Sequence, residues 1–242
     1  TSIILYTKIK RTMKTTIIGH RGAAGPAIEN TIASFKRALE LGANAIELDV
    51  RKTADDILVV CHDRNLDRVA GADVVIRKTK WRDLQKVTLK DGSSHIPTLD
   101  EALAVIGTTP VLIEIKASGC SKQLAEIIDR HADAKVTIIS FKLSELLEMR
   151  QLRPKIPLFL NEQTKAIEAI QAARALKLSG IGLNFWLLNP LAYTLARRAK
   201  LKVFVYTVNR RFYGRLIHLL YPRVSICTDH PEYFVSRRRR RR

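Results

Sequence analysis

The sequence predicts an α/β protein, a (β/α)8 TIM barrel with a small insertion after the second strand, and three observations carry that reading. Short β-branched runs alternate with longer helix-period patterns from Met13 nearly to the end of the 242 residues. Such alternation implies parallel strands joined by helical crossovers. Eight strand candidates stand in it, which favours a closed barrel over an open doubly wound sheet. No linker rich in Pro, Gly or Ser divides the chain, and α/β barrels of this size are commonly one domain.

The strands are expected at 15–19, 45–50, 111–116, 136–140, 157–160, 180–184, 202–208 and 224–228, each a short run dominated by Ile, Val, Leu and Thr. Helical patterns lie between them near 29–41, 98–106, 121–132, 143–152, 164–177, 189–200 and 210–220. A ninth apolar run, 57–61, breaks the alternation because only the six residues RKTADD separate it from the second strand. A parallel crossover needs about a dozen residues, so this run returns as an antiparallel hairpin arm. That return carries His62 and Asp63 back toward the strand end that bears Glu47 and Asp49. Residues 64–96 then read as a small insertion over the same barrel mouth, and so long an excursion is more often functional than idle.

Charge needs to be apportioned before it is interpreted. The chain has 42 Lys plus Arg against 23 Asp plus Glu, a formal +19. Residues 237–242 are six arginines, and Lys8, Lys10 and Arg11 stand unopposed in residues 1–12. Residues 13–236 therefore hold 33 bases and 23 acids, or +10. The Arg run has no apolar periodicity and reads as a solvated tail whose polyanion binding is nonspecific and salt-sensitive. Residues 1–12 read as an extension before a natural start at Met13. Residues 13–236 read as a single barrel domain.

Three cysteines, Cys61, Cys120 and Cys227, leave one unpaired in any disulfide scheme and show no C-x-x-C spacing, which fits a reducing, cytoplasmic compartment. Ile3 to Tyr6 is too short for a signal-peptide core. The uncharged stretch 178–196 is broken by Asn184, Asn189, Pro190 and two glycines, so it is strand, loop and helix start and not a membrane span.

The chemistry collects where barrel strands end. The first strand runs into His20-Arg21-Gly22. The second, Ala45-Ile46-Glu47-Leu48-Asp49-Val50, turns apolar side chains to the helices and both carboxylates into the lumen, because strand side chains alternate with period two. The third does the same with Glu114 and Lys116. Oxygen-only ligation by Glu47, Asp49 and Glu114 suits a hard divalent ion, Mg2+ or Ca2+, and the lack of a His-x-His or Cys cluster argues against zinc. The bland alternative is an ion-pair network of these acids with Lys116 and Arg21. A hard metal beside Arg21 and Lys116 is what a phosphate ester needs, and His20 and His62 supply an acid and base for displacement at phosphorus. His95, His131, His218 and His230 receive no role.

Taken in order, these elements resemble the glycerophosphodiester phosphodiesterase family. His20-Arg21-Gly22 with Glu29-Asn30-Thr31 resembles its HRG and PENT elements, and Gly42-Ala43 through Glu47-Leu48-Asp49-Val50 its GA-x-x-x-E-x-D block. Thr53, Val59-Val60 and His62-Asp63, then Glu114-Ile115-Lys116, Tyr206-Thr207-Val208-Asn209 and Thr228-Asp229, continue the match to about Tyr233. The resemblance implies a metal-dependent hydrolase that splits glycerophosphodiesters into glycerol 3-phosphate and an alcohol. It implies His20 and His62 as the catalytic pair, Glu47, Asp49 and Glu114 as metal ligands, and Arg21 and Lys116 as phosphate contacts. Tyr206 is a candidate floor of the glycerol pocket, with plain core packing as its alternative. Two departures stand out: Ile28 replaces the family's Pro before Glu29, and Asp55-Asp56 stands where the family has Asp-Gly, so a reshaped hairpin tip is expected.

Two other readings compete. A phosphodiesterase of the lysophospholipase D or sphingomyelinase D kind should carry an apolar loop at the mouth, yet 64–96 is charged, with Trp81 its only large aromatic. A noncatalytic polyanion-binding protein would act through its basic tails. The favoured partner is thus a small glycerophosphodiester, without specific nucleic-acid binding or stable membrane insertion.

Overall fold

The computed structural model describes residues 15–234, so the expected extension, the start at Met13 and the six-arginine tail lie outside the described residues. Nine strands run in chain order as β1 (Ile17–Gly19), β2 (Ala45–Lys52), β3 (Leu58–Val60), β4 (Val111–Ile115), β5 (Val136–Ser140), β6 (Leu158–Glu162), β7 (Gly180–Asn184), β8 (Lys202–Tyr206) and β9 (Val224–Thr228). All but β3 are parallel, ordered β1-β9-β8-β7-β6-β5-β4-β2, and pairing of β1 with β2 closes the ring. The predicted eight-stranded barrel is present. β3 lies antiparallel on β2, with Val50 opposite Val60, as the short six-residue connection requires.

Helices α1 (Ile32–Glu40), α2 (Asp67–Ala70), α3 (Trp81–Leu84), α4 (Leu99–Ile106), α5 (Ser121–Arg130), α6 (Leu143–Leu152), α7 (Ala166–Ala175), α8 (Pro190–Arg198) and α9 (Arg211–Leu220) complete the order. Local chemistry sets their starts. The first helix begins at Ile32, not at 29, because Asn30 is left-handed (φ 57°) and Thr31 caps the helix by accepting from Ser34 N at 3.0 Å. Thr98 and Glu101 form a capping box ahead of α4. No helix among the described residues is long and apolar enough to cross a membrane.

Alternation along the strands builds two cores. Ile46, Leu48, Val50, Ile113 and Ile115 face outward and pack with Phe35, Leu99 and Leu124 of the helices. Inside the barrel, Ile18, Ala45, Leu112, Ile139, Phe159, Phe204 and Cys227 form a separate layer. Glycines in β7 make room for it: a Cβ on Gly180 would sit 2.5 Å from the Phe159 ring, and one on Gly182 2.4 Å from that of Phe204. Cys61, Cys120 and Cys227 are buried and unpaired, and burial pushes the Cys61 thiol up to about 12 and that of Cys120 to about 11.

The insertion is more ordered than its sequence implies. It contains α2, a 3-10 turn (Ile76–Lys78) and α3 around a small core of Leu66, Ile76, Leu84, Leu89 and Ile96. The hairpin holds it, since Ala54 N donates to Thr79 O and Trp81 N to Asp55 Oδ1. At the hairpin tip Asp56 takes the left-handed conformation (φ 62°) that glycine would provide, with Lys52 Nζ 2.8 Å from its carboxylate. The turn forms without glycine.

Candidate active site

Two neighbouring strands bring the carboxylates together. Asp49 on β2 pairs directly with Glu114 on β4, and Gly19 on β1 pairs with Ile46, which sets His20 level with Glu47. Ligand oxygens of Glu47, Asp49 and Glu114 all lie within 4.8 Å of one another, and all three residues are buried. Arg21 and Lys116 sit against them. Arg21 Nε is 3.3 Å from Asp49 Oδ2, while Lys116 Nζ is 3.3 Å from Asp49 Oδ1 and 2.5 Å from Glu114 Oε1.

So many buried acids perturb one another. Burial raises Glu47, and the charge of Asp49 raises it further. Burial also drives Glu114 up to about 8, with Asp49 adding to the shift and Lys116 opposing it. Asp49 goes the other way: burial would raise it, but Lys116 and Arg21 together hold it below its ordinary value. Two of the three acids are thus raised by burial and mutual repulsion, while the third is held low by the two cations beside it. The donor set fits a hard divalent ion. Asp49 Oδ1 and Glu114 Oε1 are buried without a hydrogen bond, although Lys116 is within ion-pair distance of both.

The turn after β1 is built to present His20 and Arg21. Arg21 has φ 51° and donates its backbone N–H to Glu47 Oε2 at 2.9 Å, while its carbonyl accepts from Ser34 Oγ and Asn30 N. Gly22 follows at φ 89°, where a Cβ would fall 2.3 Å from Ser34 Oγ. His20 Nδ1 pairs with Asp229 Oδ1 at 2.6 Å, beyond the end of β9. Burial alone would lower His20, but the Asp229 hydrogen bond and the charge of Glu47 raise it above the usual histidine value.

His62, past the end of β3, has the opposite electrostatics. Its Nδ1 pairs with Asp63 Oδ1 at 2.7 Å, and its carbonyl accepts from Arg51 Nε at 2.9 Å and Nη2 at 2.5 Å. Burial lowers it, more than Asp49 and Asp63 raise it. In both rings the carboxylate engages Nδ1, which leaves Nε2 for proton transfer.

Several residues of the site carried no predicted role. Asp229 is held by Asn209 Nδ2 at 2.5 Å, and Asn30 Nδ2 donates to Asp49 Oδ2 at 2.8 Å. Arg68, from the insertion, donates to Glu29 at 2.6 and 2.9 Å and to Asp63 at 2.6 Å, while Glu29 also accepts from Arg21 Nη1. One insertion side chain thus ties the turn that holds His20 to the residue that orients His62. Tyr206 ends β8 half-buried; its ring meets Phe141 edge-on, and its hydroxyl donates to Glu162 O at 2.9 Å. His230 stacks on Tyr233 over Gly25, His131 pairs with Asp100, and His95 is exposed. A cavity of about 550 Å³ at the opposite end of the barrel, between Thr16, Pro110, Thr137 and Arg223, includes none of the site residues.

Known proteins share this architecture. The chain is 30% identical over 239 residues to the glycerophosphodiester phosphodiesterase of Caldanaerobacter subterraneus subsp. tengcongensis, covering 93% of this chain and 98% of that one. It is 31% identical over 159 residues to human lysophospholipase D GDPD1, a match to 60% of this chain and 51% of that protein. The crystal structure of a Thermotoga maritima glycerophosphodiester phosphodiesterase superposes with a TM-score of 0.80 at 27% identity, covering 93% of this chain and 98% of that chain. An Oleispira antarctica phosphodiesterase, solved with its product sn-glycerol-3-phosphate, shares the fold with a TM-score of 0.85 at 24% identity, over 92% of this chain and 95% of that one. The model of the glycerophosphoryl diester phosphodiesterase family matches residues 20–233, so that every proposed ligand and both histidines fall inside it, and this chain belongs to that family.

Proposed function

We propose that the protein hydrolyses glycerophosphodiesters to glycerol 3-phosphate and an alcohol, with Glu47, Asp49 and Glu114 holding Mg2+ or Ca2+. The observation that carries the reading is the convergence of these carboxylates with Arg21, Lys116 and two carboxylate-oriented histidines at one barrel mouth. When bound, a divalent ion supplies charge neutralisation for the phosphate oxygens. Arg21 and Lys116 complete that neutralisation, Arg21 as a fork-shaped donor. His62, lowered by burial, accepts the proton of the attacking oxygen as that oxygen bonds to phosphorus. Where the glycerol 2-hydroxyl attacks first, the cyclic phosphate it forms is opened by water in a second displacement that breaks the O2–P bond and returns the proton to the 2-hydroxyl. His20, raised by Asp229, gives its proton to the leaving alkoxide as the second P–O bond breaks. Tyr206 walls the glycerol side through its ring, since its hydroxyl is engaged by Glu162.

The test is a panel of glycerophosphodiesters and lysophospholipids assayed with and without divalent metal. Turnover is expected to vanish on chelation and return with Mg2+ or Ca2+, and His20→Ala and His62→Ala are each expected to lose about 10²- to 10⁴-fold. Undiminished activity after exhaustive chelation removes the metal from the reading. Near-wild-type turnover in both histidine variants removes the acid–base pair.

A further inference from the structure

The +10 of residues 13–236 is not spread over the barrel. Residues 169–228 contain ten Lys and Arg and no Asp or Glu, whereas the rest of 13–236 carries 23 of each sign. This acid-free quarter spans the end of α7 through β7, α8, β8 and α9 into β9. It also bears exposed apolar groups. Trp186 is 68% exposed, Phe212 69% and Leu219 76%. Scattered exposed apolar residues need no explanation, but these are contiguous. Phe185, Trp186 and Tyr213 pack with ring centroids 4.4 to 5.4 Å apart, and Phe212 joins Tyr213 at 5.6 Å.

Helix α9 shows the mismatch clearly. Gly214 and Ile217 face the barrel, with Gly214 abutting the Phe234 ring, while Phe212, Leu216, Leu219 and Leu220 follow at i, i+4, i+7 and i+8 as a stripe turned to solvent. Arg210, Arg211 and Arg215 flank its first turns, and Arg197 and Arg198 end α8, the preceding helix, at the end away from the mouth. Trp186 follows the carboxyl end of β7 and Phe212 that of β8, so the cluster stands on the rim of the catalytic mouth. Beyond Phe234 the sequence reaches six further arginines within three residues.

We infer that this quarter of the barrel docks on an anionic phospholipid surface. Aromatic and aliphatic side chains ringed by arginine match the interface between acyl chains and negative headgroups. The stripe lies on the outside of a helix and not in a groove, which suits a deformable planar surface. A second copy of the chain is disfavoured, since a two-fold contact would set the Lys and Arg of this stretch against their own copies. Apolar groups at the mouth thus follow β7 and β8, whereas the insertion at 64–96, the segment weighed for them in the sequence, is charged. Docking there sets the aromatic rim of the mouth, and the outer wall of α9 below it, against the surface, and it does not depend on which diester is hydrolysed.

The test uses the full chain with phosphatidylcholine vesicles made with and without phosphatidylglycerol. Trp81→Phe leaves Trp186 as the one tryptophan reporter of a chain that has two. Co-sedimentation with the phosphatidylglycerol vesicles alone is expected, together with a blue shift of Trp186 emission. The double variant Trp186→Ser, Phe212→Ser should weaken vesicle binding by about ten-fold or more while retention on heparin and turnover of a water-soluble glycerophosphodiester stay unchanged. The inference is overturned if the anionic vesicles do not bind, or if the double variant binds them as well as the parent, which would leave arginine attraction alone. It is equally overturned if the chain forms a dimer that Phe212→Ser dissociates and the vesicles remain free.

Discussion

Asp229 shows how one carboxylate outside the buried acidic cluster sets the electrostatics of the site. Its own burial would raise it, but the hydrogen bond from His20 and the one from Asn209 keep it below the ordinary aspartate value, and it stays ionised. An ionised partner 2.6 Å from Nδ1 stabilises the imidazolium form of His20, the form that a general acid must have before the leaving group departs. Asp229→Asn retains an acceptor oxygen and removes the charge. On the proposed assignment of His20 as acid and His62 as base, the expected result is an alkaline limb of the kcat/KM profile displaced by about one unit toward lower pH, with the acid limb left in place. Because the raised pKa keeps His20 protonated to higher pH, its loss must move the limb downward. A profile that scales uniformly without moving would make Asp229 a packing residue only.

At the level of elements, β7 shows that the lumen is shaped by what is missing. Gly182 leaves space for Phe204 and for Asn161, whose Nδ2 lies 3.4 Å from Glu114 Oε2. Gly182→Ala places a methyl 2.3 Å from Asn161 Oδ1, and overpacking of this kind costs about 1–3 kcal/mol. Thermal unfolding should fall by about 2–4 °C for each kcal/mol lost, and divalent-ion titration should weaken as Asn161 is pushed against Glu114. An unchanged melting temperature would show that Phe204 yields at no cost. Strand period explains why the carboxylate cluster was readable in the sequence: alternation in β2 and β4 fixes which faces carry Glu47, Asp49 and Glu114, and the short connection fixes the return of His62. Roles for Asp229, Asn30 and Arg68 were not readable, because each depends on register or loop contacts between segments far apart in sequence. His20 meets Asp229 only because β1 pairs with β9. Arg68 reaches Glu29 across 39 residues from a helix of four residues that has no periodicity to announce it.

For the molecule as a whole, the barrel is a stable frame that carries an unfavourable cluster of charge at its mouth, and the two should be separable by pH. In the metal-free protein Glu114 is raised to about 8 from an ordinary 4.5, and burial raises Glu47 as well. Between those values the folded state binds more protons than the unfolded chain, so ν_U − ν_N is negative and stability falls as pH rises. One such carboxyl contributes a slope of about 1.4 kcal/mol per pH unit within that window. Chelated protein should therefore melt at progressively lower temperature from pH 5 toward about 8. A divalent ion at about 100 times its Kd adds about 2.7 kcal/mol, and its effect should be greatest at the alkaline end, where the ligands need not release a proton to bind it. Glu114→Gln removes the titrating group, flattening the pH dependence and weakening the ion's effect together. Calorimetry of both proteins with and without Mg2+ or Ca2+ decides the matter: a flat profile in the chelated parent would mean that Lys116 neutralises Glu114 fully and that the cluster stores no repulsion for a metal to relieve.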